Sequence, residues 1–153
     1  MSELDTISIE RVDHVGIRVV DVDRALAFYK LLGFEVFKVV TFDPVTIIRN
    51  KVDVEINLIV NTNDENDGKN ILMDVDGVKY SGITHLALRV ESIGNTIKVL
   101  NDNNIEITQG PVKFRDGHVS VFVRDPDRNV LELRGRDQEE DKIAGVEQYE
   151  NVN

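Results

Sequence analysis

Hydrophobic residues recur at helical spacing in two windows of the chain, and each window follows an extended segment rich in β-branched residues. In residues 22–32 the apolar side chains form one stripe of a helix, and residues 93–103 carry a narrower stripe of the same period. The preceding segments, residues 11–20 and 83–91, have the composition of strands. The pattern therefore predicts a strand followed by a helix, twice along the chain.

Short apolar runs bounded by turn residues follow each predicted helix. They predict strands at about 34–41, 44–49 and 53–60 in the first half, and at about 105–108, 117–124 and 129–135 in the second. Each half is thus a predicted βαβββ module, and the fold class is α+β.

The two halves are also an internal repeat. HVGIRVVDVDRALAFYKLLGFEV (14–36) aligns without a gap on HLALRVESIGNTIKVLNDNNIEI (85–107). The alignment pairs His14 with His85, Arg18 with Arg89 and Glu35 with Glu106, and it pairs most of the apolar residues with apolar residues. Because the correspondence includes the spacing of polar residues, it indicates two copies of one structural unit.

The predicted ends of the two helices match as well. Asp21 and Ser92 coincide in the repeat, and both residue types are good N-caps. Gly33 and Asn104 coincide at the other end, and both tolerate the left-handed conformation that terminates a helix.

The chain divides into four predicted segments: a first module at 10–61, an acidic connector at 62–79, a second module at 80–135 and an acidic tail at 136–153. One helix cannot cover a whole sheet, so we expect the two modules to pack together into a cupped mixed sheet. That pairing would occur within one chain or by exchange between two chains, and we predict a homodimer.

Charge and composition narrow the possible partners. The net charge is −10, from 18 basic and 28 acidic residues, and the acidic excess lies mainly in the connector and the tail. No basic stripe is present, so nucleic acid is not an expected partner. No apolar run is long enough to span a membrane. The absence of cysteine excludes disulfides and thiolate metal sites, and it fits an expected cytoplasmic location.

Two strand-borne histidines lie at matching positions of the repeat. Alternation of side chains along a strand places His14 and Arg18 on one face of the first predicted strand. The same alternation places His85 and Arg89 on one face of its counterpart. The apolar residues between them point to the opposite face, where the helix is expected to pack.

The last strand of each module carries one glutamate. Glu55 and Glu132 are each flanked by apolar residues, and a carboxylate in such a strand needs a partner. Aligning Val-Glu-Ile at 54–56 with Leu-Glu-Leu at 131–133 places the two glutamates opposite each other, although a slip of two residues would put Asn57 there instead. Two histidines and two glutamates form a suitable N₂O₂ site for a divalent ion.

The chain resembles the vicinal oxygen chelate superfamily. That superfamily includes glyoxalase I, methylmalonyl-CoA epimerase, fosfomycin-resistance enzymes, extradiol dioxygenases and bleomycin-binding proteins. The resemblance covers about residues 10–135. It is strongest in DHVGIRVVDVDRALAFYKLLGFEV, GITHLALRV and GPVKFRDGHVSVFVRDPDRNVLEL. The resemblance implies two βαβββ modules forming a cupped sheet around one metal ion. It places the ligands on His14, Glu55, His85 and Glu132, a set similar to that of bacterial glyoxalase I, whereas the epimerase has Gln in the second position.

The chemistry implied is that of a glyoxalase-like lyase or isomerase. A divalent ion (Ni, Zn, Co, Mn or Fe) would stabilise an enolate or enediolate of a small oxygenated, anionic substrate, and Glu55 or Glu132 would move the proton. The expected substrate-binding residues are Arg18, Asn57, Arg89 and Arg134.

Two other functions stay open. An extradiol-type Fe(II) dioxygenase would use a two-His, one-carboxylate triad, and a fourth ligand from Glu55 argues against it. A non-catalytic small-molecule-binding protein would use the same fold without a metal ion. Of the remaining residues, His118 in FRDGHVS is interpreted as structural, and Arg128 replaces the glycine of the family's usual DPDGN turn.

Overall fold

The computed structural model describes residues 9–62, 83–138 and 143–149. The chain divides into two compact units, Met1–Asn63 and Asp64–Asn153. Nearly all of the predicted connector and part of the predicted tail lie outside the described residues.

The first unit is one βαβββ module, as predicted. Its elements are β1 (Val15–Arg18), α1 (Val22–Leu31), β2 (Glu35–Val40), β3 (Val45–Arg49) and β4 (Glu55–Ile59). The sheet has the strand order β1-β4-β3-β2. β1 runs parallel to β4, and the other two pairs are antiparallel, so the sheet is mixed.

The second unit repeats this arrangement and adds one short strand. Its elements are β5 (Leu86–Arg89), α2 (Ile93–Asp102), β6 (Ile107–Lys113), β7 (His118–Arg124), β8 (Val130–Arg136) and β9 (Glu147–Gln148). The strand order is β5-β8-β7-β6-β9, with β5 parallel to β8 as β1 is to β4.

Two features of the second unit differ from the sequence prediction. The predicted strand at 105–108 corresponds to β6, which continues to Lys113. The second of its two register shifts spans the Gly110–Pro111 dipeptide, and pairing with β7 resumes at Val112. The predicted tail also contains a short strand, β9, which pairs in parallel with β6. The Tyr149 ring that follows it stacks on Phe114 at a centroid distance of 5.1 Å.

The predicted helix caps are confirmed. The side chains of Asp21 and Ser92 each accept a hydrogen bond from the backbone N–H three residues on, at 3.0 and 3.1 Å. Gly33 and Asn104 follow the helices with φ of 88° and 57°. No helix in the described parts of the chain combines the length and apolarity needed to cross a bilayer.

In each sheet one face is buried and the other carries polar groups. Ile56 and Leu58 of β4 are fully buried, as are Leu131 and Leu133 of β8. α2 lies so close to β8 that a Cβ added at Gly135 would come within 3.2 Å of the Ile93 side chain. Alternation therefore directs the neighbouring even-numbered side chains of β8 away from the helix, as predicted.

Candidate metal centre

In the first module, His14 and Glu55 lie side by side at the start of two parallel strands. His14 immediately precedes β1, Glu55 opens β4, and the residues that follow them, Val15 and Ile56, are register partners. The closest approach of the two side chains is 3.8 Å, between His14 Nδ1 and Glu55 Oε2.

Asp13 contacts the same imidazole nitrogen. Its Oδ2 lies 2.7 Å from His14 Nδ1, and potential ligand atoms of Asp13, His14 and Glu55 all lie within 4.8 Å of one another. The hydrogen bond with His14, followed by the charge of that ring, lowers the pKa of the Asp13 carboxyl. An acceptor at Nδ1 favours the tautomer whose Nε2 carries the lone pair, which is the form that binds a metal ion.

Arg49 holds the other oxygen of Glu55. Its Nε donates to Glu55 Oε1 at 2.7 Å, and the two residues are register partners on β3 and β4. The guanidinium in turn lies over the Phe37 ring, 3.7 Å from its centroid. This stacking fixes the arginine, so the Glu55 carboxylate is compensated and oriented within its own module.

In the second module, the His85 ring is held in the same way and faces a glutamate. Thr84 Oγ1 lies 2.8 Å from His85 Nδ1, while His85 Nε2 lies 3.2 Å from Glu132 Oε2. The edge of the His85 ring also meets the Phe122 ring at a centroid distance of 5.9 Å. The nitrogen left free by Thr84 is therefore the one that points toward the carboxylate.

A buried serine supports Glu132. The Ser120 hydroxyl donates to Glu132 Oε1 at 2.8 Å, and the Arg134 guanidinium donates to Ser120 Oγ at 3.3 Å. Ser120 is fully buried and Glu132 is 8% exposed. Ser120 thus holds one oxygen of the Glu132 carboxylate, and the other oxygen faces the His85 imidazole.

Arg134 is engaged by a carboxylate and an aromatic ring. It pairs with Asp116 at 2.5 Å, and its guanidinium carbon lies 4.7 Å from the centroid of the Phe114 ring. The backbone N–H of His118 donates to Asp116, and this bond is the main reason that the pKa of Asp116 is lowered, with a smaller contribution from the charge of Arg134.

Two predicted substrate-binding residues end the outer parallel strands. Arg18 ends β1, and Arg89 ends β5, where its register partner is Arg134. The guanidinium groups of Arg89 and Arg134 therefore extend from neighbouring positions of the second sheet. The described parts of the chain contain no carboxylate paired with Arg89, whereas Arg134 has Asp116.

The register distinguishes the two modules at the last strand. Gly16 pairs with Asn57 in the first sheet, and Ala87, its counterpart in the repeat, pairs with Glu132 in the second. Asn57, not Glu55, therefore occupies the position equivalent to Glu132, and the sequence alignment of the two glutamates is wrong by two residues. Asn57 Oδ1 is buried and has no hydrogen-bond partner among the residues that the structure describes.

Several supporting residues were missed by the sequence reasoning. Asp13 and Thr84 lie immediately before the two aligned segments, next to the paired histidines, so the repeat offered a signal for them. Arg49, Ser120 and Asp116 gave no such signal, because their partners lie 6 to 18 positions away and meet them only through strand register and turns.

The residues fit a divalent ion. Ligand atoms bound at about 2.0–2.2 Å with tetrahedral or octahedral angles lie about 3.0–3.5 Å apart. The 3.2 Å between His85 Nε2 and Glu132 Oε2 agrees with that spacing. In the first unit, Asn57 Oδ1, which has no hydrogen-bond partner among the described residues, is a potential oxygen donor. Imidazole, carboxylate and amide oxygen are ligands that suit Zn, Ni, Co, Mn and Fe.

Comparisons with known proteins agree with this organisation. The model of the Glyoxalase/Bleomycin resistance protein/Dioxygenase superfamily matches residues 11–133. The chain is 30% identical over 131 residues to the glyoxalase domain-containing protein RDO1 of Mycosarcoma maydis, covering 83% of this chain and 69% of that protein.

Solved structures show the same fold. A glyoxalase/dioxygenase from Nostoc punctiforme has a TM-score of 0.65 at 20% identity, covering 87% of this chain and 99% of that one. The fosfomycin resistance protein FosX from Listeria monocytogenes has a TM-score of 0.62 at 14% identity, covering 90% and 99%. The chain belongs to the glyoxalase/bleomycin resistance protein/dioxygenase superfamily.

Proposed function

We propose that this protein is a divalent-metal-dependent lyase or isomerase that acts on a small oxygenated, anionic substrate. The observation that carries the proposal is the His85–Glu132 pair, whose facing atoms lie 3.2 Å apart. We propose that His14 and His85, Glu132 and an oxygen donor from β4 bind a single ion. The gap-free repeat that pairs the two histidines supports a shared site.

The proposed chemistry divides between the ion and the glutamates. When bound, the ion acts as a Lewis acid that stabilises negative charge on a substrate oxygen and makes the neighbouring C–H more acidic. Glu55 Oε2 takes that proton and returns it to the adjacent carbon, while Arg49 keeps hold of Oε1 at 2.7 Å. Glu132, fixed by Ser120, orients the site and is the second candidate for the proton carrier.

The arginines support an anionic substrate. Arg89 and Arg134 are register partners. Among the residues that the structure describes, Asp116 pairs with Arg134, and no carboxylate pairs with Arg89. The neighbouring positive charges therefore favour a substrate carboxylate or similar anion. Arg18 is proposed as a further substrate contact, and Asn57 as a substrate contact or as the oxygen donor that β4 supplies to the ion. A cytoplasmic location and a homodimer remain predictions.

The proposal is tested by proton exchange. Metal-loaded protein is incubated in D₂O with α-oxygenated carbonyl acids, with and without thiol adducts, and exchange at the acidic carbon is followed by ¹H NMR. We expect metal-dependent exchange that falls about 10²–10⁴-fold in Glu55→Gln or Glu132→Gln. Glu106→Gln, at an exposed position, is the matched control.

Two results would contradict the lyase or isomerase assignment. Oxygen consumption by the Fe(II)-loaded protein with catechols, without proton exchange, would indicate a dioxygenase. Tight binding of a small molecule by protein that takes up no metal ion would indicate a non-catalytic binding protein.

A further inference from the structure

β4 presents two oxygen donors on one face, Glu55 and Asn57, and only one of them is placed like the glutamate of the second module. We infer that Asn57 is the β4 ligand of the proposed ion, and that Glu55 stays off the ion as a carboxylate paired with Arg49. The inference rests on the proposed function, because it assigns a ligand within that site.

The strand register places Asn57, not Glu55, at the position equivalent to Glu132. In the second sheet, Glu132 lies beside Ala87, two positions after His85 on the neighbouring strand. The same offset from His14 in the first sheet leads to Gly16, whose partner on β4 is Asn57. Since both pairs of strands are parallel and carry the repeat, equal offsets mean equivalent positions.

Glu132 and Glu55 approach different nitrogens of their respective histidines. Glu132 approaches His85 at Nε2, the nitrogen that Thr84 leaves free. Glu55 comes closest to His14 at Nδ1, the nitrogen that Asp13 already contacts at 2.7 Å. An ion on Nε2 of His14 would therefore lie on the side of the ring away from this contact with Glu55.

Glu55 and Asn57 also differ in whether their oxygen atoms already have a partner. Glu55 has its charge compensated by Arg49, whose Nε lies 2.7 Å from Oε1, so this carboxylate is satisfied without an ion. Asn57 Oδ1 is buried and lacks a hydrogen-bond partner among the described residues. A buried carbonyl oxygen without a partner is costly, and coordination to a cation would satisfy it.

The assignment changes the chemistry of the site. An amide ligand brings one negative charge fewer than a carboxylate, so the ion remains a stronger Lewis acid. Glu55 is then a carboxylate that does not bind the ion, so it can accept a proton without first leaving the metal.

The test is a Co²⁺ titration of the metal-free full-length chain, followed by calorimetry and by visible absorption of the bound ion. Asn57→Leu should weaken Co²⁺ binding by about 10–100-fold and change the absorption band. Asn57→Asp should strengthen binding and also change the band. Glu55→Gln, the matched control on the same strand, should keep the band and bind within about threefold of the unaltered protein.

Different outcomes separate this inference from the proposed function. A large loss of Co²⁺ affinity in Glu55→Gln, with an unchanged band in Asn57→Leu, would overturn the inference and leave the metal site in place. No Co²⁺ binding by the unaltered protein would contradict the proposed function as well. If Asn57→Leu does not fold by circular dichroism, an unchanged affinity and band in Asn57→Asp would overturn the inference.

Discussion

The Ser120 hydroxyl and the Glu132 carboxylate form a buried hydrogen bond of 2.8 Å between neighbouring strands β7 and β8. Phe122, not Ser120, is the register partner of Glu132, so the bond runs diagonally across the sheet. The hydroxyl also accepts a hydrogen bond from Arg134 at 3.3 Å. One serine thus fixes the proposed metal ligand and links it to the arginine proposed to bind substrate.

Replacement of Ser120 by alanine should affect both stability and metal binding. The buried Glu132 carboxylate would lose its donor, so the free energy of unfolding should fall by about 1–3 kcal/mol in urea denaturation. Co²⁺ affinity should fall by about 10–100-fold, because the ligand is no longer oriented. The control, Thr108→Val, removes a hydrogen bond to the Phe122 carbonyl and should leave Co²⁺ affinity unchanged. Equal Co²⁺ affinity in Ser120→Ala and the unaltered protein would exclude this role.

The residues that precede the two histidines should tune metal affinity. Asp13 and Thr84 contact Nδ1 of His14 and His85, which presents Nε2 for coordination. Asp13→Asn and Thr84→Val should each lower Co²⁺ affinity by about tenfold or more without removing the site. Asp43→Asn, at an exposed position, is the control. Calorimetric titration would reveal the effect, and unchanged affinity in both variants would contradict it.

The sequence predicted the parts of the fold that depend on local chemistry. Caps at Asp21 and Ser92 were recognisable because a capping side chain and its backbone partner lie three residues apart. Strand faces followed from alternation. The register of β4 could not be predicted, because shifting a strand by two residues preserves its alternation, and both Glu55 and Asn57 satisfy the pattern.

Contacts between side chains that are distant in the sequence could not be predicted, for a related reason. Arg49 meets Glu55 only because the β3–β4 hairpin sets their register, and Arg134 meets Asp116 only through the turn before β7. The short strand β9 follows a segment with little apolar content, and its pairing is accompanied by the stacking of Tyr149 on Phe114.

The Asp116 carboxyl should titrate below its ordinary pKa of 3.8, mainly because the His118 backbone N–H donates to it. Since the folded-state pKa is lowered, the ionised carboxylate stabilises the fold above that ordinary value, and this contribution is lost as pH falls through the lowered pKa. NMR titration of the carboxyl carbon measures the shift. Arg134→Met should raise the pKa only in part, since the backbone donor remains.

A matching test compares urea denaturation of Asp116→Asn and the unaltered protein across acidic pH. The difference in stability should be largest above the ordinary pKa of 3.8 and should shrink in stronger acid. A difference that grows as the pH falls would contradict the lowered pKa.

Arg128 should be a site where glycine is stabilising. The residue has φ of 67° in the turn that begins at Asp125, a left-handed conformation that disfavours a side chain. Arg128→Gly should raise the free energy of unfolding by up to about 1 kcal/mol in urea denaturation. Lys98→Gly, at an exposed position inside α2, is the control and should lower it by about 1 kcal/mol. A loss of stability in Arg128→Gly would show that the arginine side chain makes a compensating contribution.

The most direct test of the proposed metal centre is the metal content of the purified protein after incubation with each of Ni²⁺, Zn²⁺, Co²⁺, Mn²⁺ and Fe²⁺ and removal of excess ion. Elemental analysis should find about one equivalent per chain for at least one of these ions. His14→Ala and His85→Ala, each folded by circular dichroism, should both lose it, because each histidine supplies a ligand that no neighbour replaces. A protein that retains none of the five ions, or whose ion survives both substitutions, would contradict the metal centre proposed for His14 and His85.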